Sequence, residues 1–224
     1  MGIPERKERE KEHRKEEILD AAQKVFFEKG LVTSTMDEIA EAAELSKGTL
    51  YLYYKSKEDL YLSVMMRGME SIYEKYEHIA ASDNSIVKKV KMFVDVYNEF
   101  FDSHRSFFRM FHFFQTPQFH KQVSDELKQS CNAQSARLWD LVIGVLKQGM
   151  EQGSIRSDLN PVEVTIILWS SATALMLRND SEGEVWKSRR NVDLTHTLEV
   201  SNSMLLESMF TGRGRTEFAA LKQR

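Results

Sequence analysis

The chain has 224 residues, 42% of them hydrophobic and 29% charged, with 10 Gly, 3 Pro and a formal net charge of −3. This composition supports a folded core and, with so few breakers, long helices rather than many short strands. A single cysteine, Cys131, excludes an intramolecular disulfide and a multi-cysteine zinc site, and the mildly acidic balance means that any surface for nucleic acid must be local.

Residues 1–17 are charged and carry no apolar run, so they do not read as a secretory signal. The most apolar stretch, Val164 to Leu177, is interrupted by Thr165, Ser170, Ser171 and Thr173 and is shorter than the roughly 20 residues a bilayer span needs. No membrane partner and a cytoplasmic location are expected. Residues 1–15 are predicted to form a charged, solvated arm, ERKEREKEHRKEE over Glu5 to Glu17 running into a first helix, although a frayed tail suits the same composition.

From Ile18 a helical period sets in through Leu19, Ala22, Val25 and Phe26, and Gly30 closes it. The polar stretch Thr33, Ser34, Thr35 supplies an N-cap for a short helix over Met36 to Ala43, with Asp37 and Glu38 in its first turn. Ser46 caps a third helix, Lys47 to Tyr54, and Ser56 a fourth, Lys57 to about Ala81. Ile39 and Ala43 on one short helix face Leu50 and Tyr53 on the next, Ala40 is small at the closest approach, and Leu45 plugs the turn. Two short helices packed through a tight turn in this way form a helix-turn-helix.

Phe26, Gly30 and the run TSTMDEIAEAAELSKGTLYLYYKSKEDL over Thr33 to Leu60 resemble the DNA-binding domain of the tetracycline repressor (TetR) family. The resemblance covers about the first quarter of the chain. It departs from the family at Glu44, where a turn glycine is usual; a left-handed conformation there costs a non-glycine residue about 1 kcal/mol. The resemblance implies an all-α fold of about nine to ten helices. An N-terminal helix-turn-helix domain over residues 16–62 would be followed by a helical effector-binding and dimerisation domain over residues 63–212 and a C-terminal tail over residues 213–224. It also implies a transcriptional repressor rather than an enzyme, with palindromic double-stranded operator DNA, a second copy of the chain and a small hydrophobic effector as partners, and no cofactor.

Lys47, Lys55 and Lys57 stand in a stretch, Ser46 to Lys57, that holds no acid. A recognition helix reads base edges with its N-terminal residues, which selects Lys47, Gly48, Thr49 and Tyr51. Lys47 suits guanine O6 or N7, Thr49 a thymine methyl, and Gly48 close backbone approach. Thr33, Ser34, Thr35, Tyr53, Tyr54 and Lys57 suit phosphates, as the matching family positions do, and Arg14 and Lys15 suit phosphate or the minor groove. Tyr54 suits a core position equally well.

The rest reads as helix: Ile86 to Asp102, Arg105 to Phe114, Pro117 to about Gln152, Pro161 to Arg178 and Asp193 to Phe210, with loops over Asn179 to Glu184 and 153–160 and a mobile tail from Thr211. Aromatic and methionine side chains gather around Arg105 to Phe114. Met69, Met92, Phe93, Phe107, Met110, Phe111, Phe114, Trp139, Val142, Trp169 and Met176 are the expected lining of an apolar effector site, though each is equally suited to plain core. The histidines are too scattered to hold a metal. Ile167, Ser171, Leu175, Leu194, Leu198, Ser201, Leu205 and Met209 form apolar faces on the last two helices, expected to meet a twofold mate. No Gly-rich phosphate loop, Ser-His-Asp set or metal motif speaks for catalysis.

Overall fold

The computed structural model describes residues 3–114, 119 and 121–223, with side chains for all of these except 3, 4 and 111–114. Among the described residues there are ten helices and no strand: α1 (Ile3–Thr33), α2 (Met36–Ala42), α3 (Lys47–Tyr53), α4 (Lys57–Ala81), α5 (Ile86–Ser103), α6 (Arg105–Phe114), α7 (Asp125–Glu151), α8 (Pro161–Arg190), α9 (Leu194–Met209) and α10 (Gly212–Lys222). An isolated antiparallel bridge joins Ile155 and Phe210. The all-α expectation holds. The chain forms two compact units, one from residues up to 70 together with 106–134, the other from 71–105 together with 135–224.

In the first unit, α1 buries Ile18, Ala21, Ala22, Val25 and Phe26. Gly30 interrupts it with φ 72° and ψ 177°, a conformation open in practice only to glycine, and the chain turns there toward α2. Phe26 meets Tyr61 of α4 edge-on at 5.0 Å, and Arg67 of α4 reaches back to Asp20 at 2.7 Å and Glu16 at 3.4 Å. Phe107 lies where α6 crosses α4 at Gly68: a Cβ on that glycine would sit 2.6 Å from the Phe107 ring. Asp59, buried near the start of α4, accepts a hydrogen bond from the Ser124 backbone N–H at 2.8 Å. The first unit is thus more than a three-helix head, since α6 and the start of α7 pack into it.

In the second unit, α4 and α5 meet through Tyr76, whose hydroxyl donates to the Phe93 carbonyl at 2.8 Å, and α8 pairs with α9.

Four expectations change. The charged arm is helical from Ile3, held by exposed ion pairs three and four residues apart such as Arg6–Glu10 at 2.7 Å and Lys15–Glu12 at 2.7 Å. The long helix starts at Asp125, because residues 121–124 form a turn anchored to Asp59; Pro117 lies outside the described residues. The loop expected over Asn179 to Glu184 is helix: Glu182 pairs with Arg178 at 3.7 Å and accepts from the Trp186 indole at 2.9 Å, and α8 runs on until Asn191 caps it at φ 54°. The expected tail folds as α10. Its N-cap Thr211 accepts from Gly214 N–H, Phe218 is buried against Phe210, and Glu217 accepts from Ser85.

Candidate functional site

The helix-turn-helix is built by local signals. Thr35 and Glu38 form a capping box at the start of α2: the Thr35 hydroxyl accepts from the Glu38 N–H at 3.2 Å, and Glu38 Oε2 accepts from the Thr35 N–H at 2.9 Å. Lys29 bonds the same carboxylate at 2.6 Å and, with Thr35, holds it below its ordinary range. At the turn, Glu44 has φ 55°, the left-handed conformation expected there, and the Leu45 N–H closes the turn on the Ala40 carbonyl at 2.8 Å. Ser46 then caps α3 by accepting from the Thr49 N–H at 3.1 Å. Ile39, Ala40 and Leu50 are buried between the helices and Leu45 is half-buried, as the spacing demands.

The outer face of α3 presents Lys47, Gly48 and Tyr51, with Thr49 half-buried beside them. Gly48 carries information here. A Cβ at that position would meet only the Ser46 hydroxyl, at 3.8 Å, so nothing within the chain requires glycine, and a helical glycine costs stability. Lys47 is bound to Asp37 at 2.8 Å, which raises its pKa; binding a base or phosphate means leaving that carboxylate.

The residues assigned to phosphates separate. Thr33 and Thr35 are exposed, and Tyr53 and Lys57 half-buried. The Thr33 hydroxyl donates to the Lys29 carbonyl, and the Lys57 ammonium donates to the Ser34 carbonyl at 2.7 Å, tying the segment before α2 to the start of α4. Ser34 does not share this surface: it is 1% exposed and its hydroxyl donates to the Gly30 carbonyl at 2.7 Å. A serine following the Gly30 break satisfies a carbonyl that the helix leaves open. Tyr54 is half-buried, and burial pushes its hydroxyl up to about 12, with Glu16 and Glu12 adding to the shift.

Two further members of the exposed face have no assigned role in the sequence pattern, Leu52, 83% exposed, and Lys55. Stepping four residues along α3 from Gly48 finds Leu52; Lys55 lies past the extended C-cap Tyr54, beyond the helix.

The effector candidates divide between the two units. In the first, Met69, Phe107 and Met110 are buried, and Phe107 meets Phe27 edge-on at 4.9 Å; the Phe111 and Phe114 side chains lie outside the described residues. In the second, Phe93 and Met176 are buried and Met92, Trp139 and Val142 half-buried, while Trp169 is partly exposed. Trp139 and Trp169 meet edge-on at 5.8 Å. The Tyr97 hydroxyl shares a hydrogen bond with Thr173 at 2.8 Å, and burial raises its pKa to about 12 against the hydrogen bonds from Thr173 and Trp169.

The residues expected to meet a mate also divide. Leu194, Leu198 and Met209 are buried within their own chain, because α9 turns them toward its neighbours. Ser171, Leu175, Ser201 and Leu205 are half-buried, and Ile167 is 50% exposed. Ile166, Val200 and Met204, the last 66% exposed, are apolar side chains left on solvent by the same two helices.

Residues 18–64 match the family model for bacterial regulatory proteins of the tetR family. The chain is 29% identical over 152 residues to the HTH-type transcriptional repressor KstR2 of Rhodococcus jostii (strain RHA1), a match covering 67% of this chain and 72% of that protein. It is 26% identical over 144 residues to the fatty acid metabolism regulator protein of Bacillus subtilis (strain 168), covering 64% and 72%. The structure of the transcriptional regulator FadR from Bacillus subtilis in complex with stearoyl-CoA aligns with a TM-score of 0.64 at 21% identity, covering 86% of this chain and 98% of that one; at that identity the likeness is one of fold.

Proposed function

The chain belongs to the tetR family of bacterial regulatory proteins and is a DNA-binding transcription regulator, and from that premise we propose that it works as a dimeric repressor released from its operator by a small, mostly apolar effector. The observation that carries the reading is the open face of α3: Lys47, Gly48 and Tyr51 stand on a capped, buried-core helix-turn-helix, and Gly48 has no reason inside the chain. Thr49, Leu52 and Lys55 complete the surface offered to base edges, and Thr33, Thr35, Tyr53 and Lys57 flank it for phosphates. One short helix reads few base pairs, so a twofold pair with reading helices about 34–36 Å apart is needed for a specific site. The exposed apolar side chains Ile166, Ile167, Val200 and Met204 supply a face for that pair. The site of action is the cytoplasm, where operators are found.

The effector is a compound with a long hydrocarbon part. The fatty acid regulator among the relatives and the neighbour solved with stearoyl-CoA favour an acyl thioester or the corresponding acid. Trp139, Trp169, Met92, Met176 and Tyr97 of the second unit are the side chains suited to it, with the Tyr97–Thr173 hydroxyl pair as the polar mark.

The test is fluorescence anisotropy with a duplex selected by this protein from random DNA. The expected duplex is a palindrome, and stearoyl-CoA is expected to weaken its binding by about 5- to 150-fold while changing the tryptophan emission. Operator affinity that ignores every acyl ligand bound by the protein overturns the effector reading. Failure to enrich any duplex overturns the DNA reading itself.

A further inference from the structure

Ser46 to Lys57 holds no acid, yet α2 brings one to the N-terminal end of α3, the end with which a recognition helix reads bases. Asp37 is the second residue of α2 and Lys47 the first of α3. The Lys47 ammonium lies 2.8 Å from Asp37 Oδ1 and donates to Oδ2 at 2.9 Å, so both carboxylate oxygens hold the one cation. Both side chains are more than half exposed. The cap of α2 is made without Asp37, by Thr35 and Glu38, and Glu38 already sets a carboxylate in the first turn, where the macrodipole favours one. An exposed ion pair adds little to stability. The fold thus has slight use for Asp37, and its weight falls on binding.

An acid on a surface offered to DNA repels the phosphates that give any duplex its affinity. Lys47 must leave Asp37 to bind, and what becomes of the carboxylate then depends on the partner. The phosphate backbone carries acceptors and no donor, so a Lys47 bound to phosphate leaves Asp37 an unpaired anion beside a row of anions. The major groove carries donors beside its acceptors: guanine offers O6 and N7 to the ammonium, and cytosine offers its N4 amino group to a carboxylate. There both halves of the opened ion pair find a partner. Lys57 shows the other arrangement. It donates to a neutral acceptor, the Ser34 carbonyl, at 2.7 Å, and keeps its full charge for phosphate.

We propose that Asp37 is a specificity-determining residue, which makes Lys47 a poor ligand for phosphate and itself accepts from the N4 amino group of a cytosine when Lys47 moves to a guanine. This rests on the reading of α3 as the recognition helix. Because the two side chains start in contact, the guanine and the cytosine belong to the same base pair or to adjacent ones. Specificity is a difference of affinities, and Asp37 widens it from both sides. It weakens binding to an arbitrary duplex and adds one contact at the right one.

The full-length protein is titrated with the duplex selected by the wild type and with a scrambled duplex of the same composition, over a series of salt concentrations, as wild type, Asp37→Asn and Glu41→Gln. Glu41 is exposed on α2 one turn beyond Asp37, so its variant removes the same charge from the same helix without freeing Lys47. Asp37→Asn is expected to lower the ratio of selected to scrambled affinity by about tenfold per half-site, a factor within the range of one base contact. On the scrambled duplex its slope of log K against log[salt] is expected to steepen by about 0.9 per protomer, or about 1.8 for a dimer, as the freed Lys47 neutralises a phosphate. Glu41→Gln is expected to keep the wild-type ratio and slope. Selection from random DNA with Asp37→Asn is expected to lose a fixed cytosine from each half-site. An unchanged ratio in Asp37→Asn, an equal change in both variants, or a selected site that keeps every fixed cytosine overturns the assignment and leaves the recognition helix standing. A wild type that enriches no duplex overturns both.

Discussion

The two units place their exposed apolar side chains differently. In the helix-turn-helix the apolar residues on solvent are Val32, Tyr51 and Leu52, two of them on the reading face among lysines and a glycine. In the second unit they run along two helices, with Val162, Ile166, Ile167, Trp169 and Val185 on α8 and Val200 and Met204 on α9. A surface of scattered apolar groups among donors and cations suits a base-pair edge, where a methyl group and hydrogen-bonding atoms alternate. A long apolar face suits another apolar face. The two arrangements therefore suit chemically different partners, as the proposed function requires, and the same residue type has a different setting in each.

The sharpest test exchanges the outcomes. Ile167→Glu with Met204→Glu puts charge on the long face; the protein should sediment as a monomer, and operator affinity should fall toward the non-specific level, on the order of 10³-fold or more, with unchanged helical circular dichroism. Leu52→Glu, the matching change on the reading face, should leave the dimer intact in sedimentation and weaken only DNA binding. A dimer that survives the first pair removes the proposed role of that face.

Next in size is Leu50→Ala. Leu50 is fully buried between α2 and α3, so its loss should cost about 2–5 kcal/mol, read by urea unfolding, and abolish operator binding through the reading head. Gly48→Ala should separate stability from function. The added methyl meets only the Ser46 hydroxyl, at an ordinary contact distance of 3.8 Å, so the fold should hold or gain up to about 1 kcal/mol, while operator affinity drops. A substitution that stabilises the protein and leaves DNA binding intact counts against close backbone approach at that position.

The smallest effect is pH-dependent. Lys29 first, and then Thr35, hold the Glu38 carboxyl below its ordinary 4.5. A carboxyl depressed in the folded state stabilises it above the unfolded pKa and loses that contribution as pH falls through the lower folded value. Thermal melts of the wild type should therefore lose stability faster below pH 4.5 than melts of Glu38→Gln. Parallel pH curves would show that the capping box does not report on this carboxylate.

What is legible in the sequence follows the range of the interactions. Thr35, Ser46 and Ser56 announce helix starts because a side-chain oxygen satisfies an N–H two or three residues on, and each does so here. The left-handed Glu44 is legible only through the family resemblance, which sets a glycine at that turn position. Ser34 is misread because an exposed-looking hydroxyl beside two threonines gives no sign that the Gly30 break turns it inward. Asn179 to Glu184 reads as a loop because its residues are polar, and nothing local shows that Asn179 donates to the Thr195 hydroxyl at 3.2 Å or that Asp180, 14% exposed, faces Arg105 at 3.9 Å. The α10 segment reads as a tail because Gly212 and Gly214 suggest a break. Gly214 is instead where the helix passes so close to the chain that a Cβ would lie 2.3 Å from the Ser154 carbonyl oxygen, a long-range reason that no local pattern contains.

The seam between α5 and α10 has a consequence for biosynthesis. Ser85 and Glu217 are 132 residues apart in the chain, and Phe218, next to Glu217, is buried. A ribosome adding about 5–20 residues per second needs roughly 7 to 26 s to travel from one side of that seam to the other. During that interval the nascent chain holds α5 without its final cover, a window in which a chaperone, or a partner chain emerging from the same message, meets the second unit before it has closed.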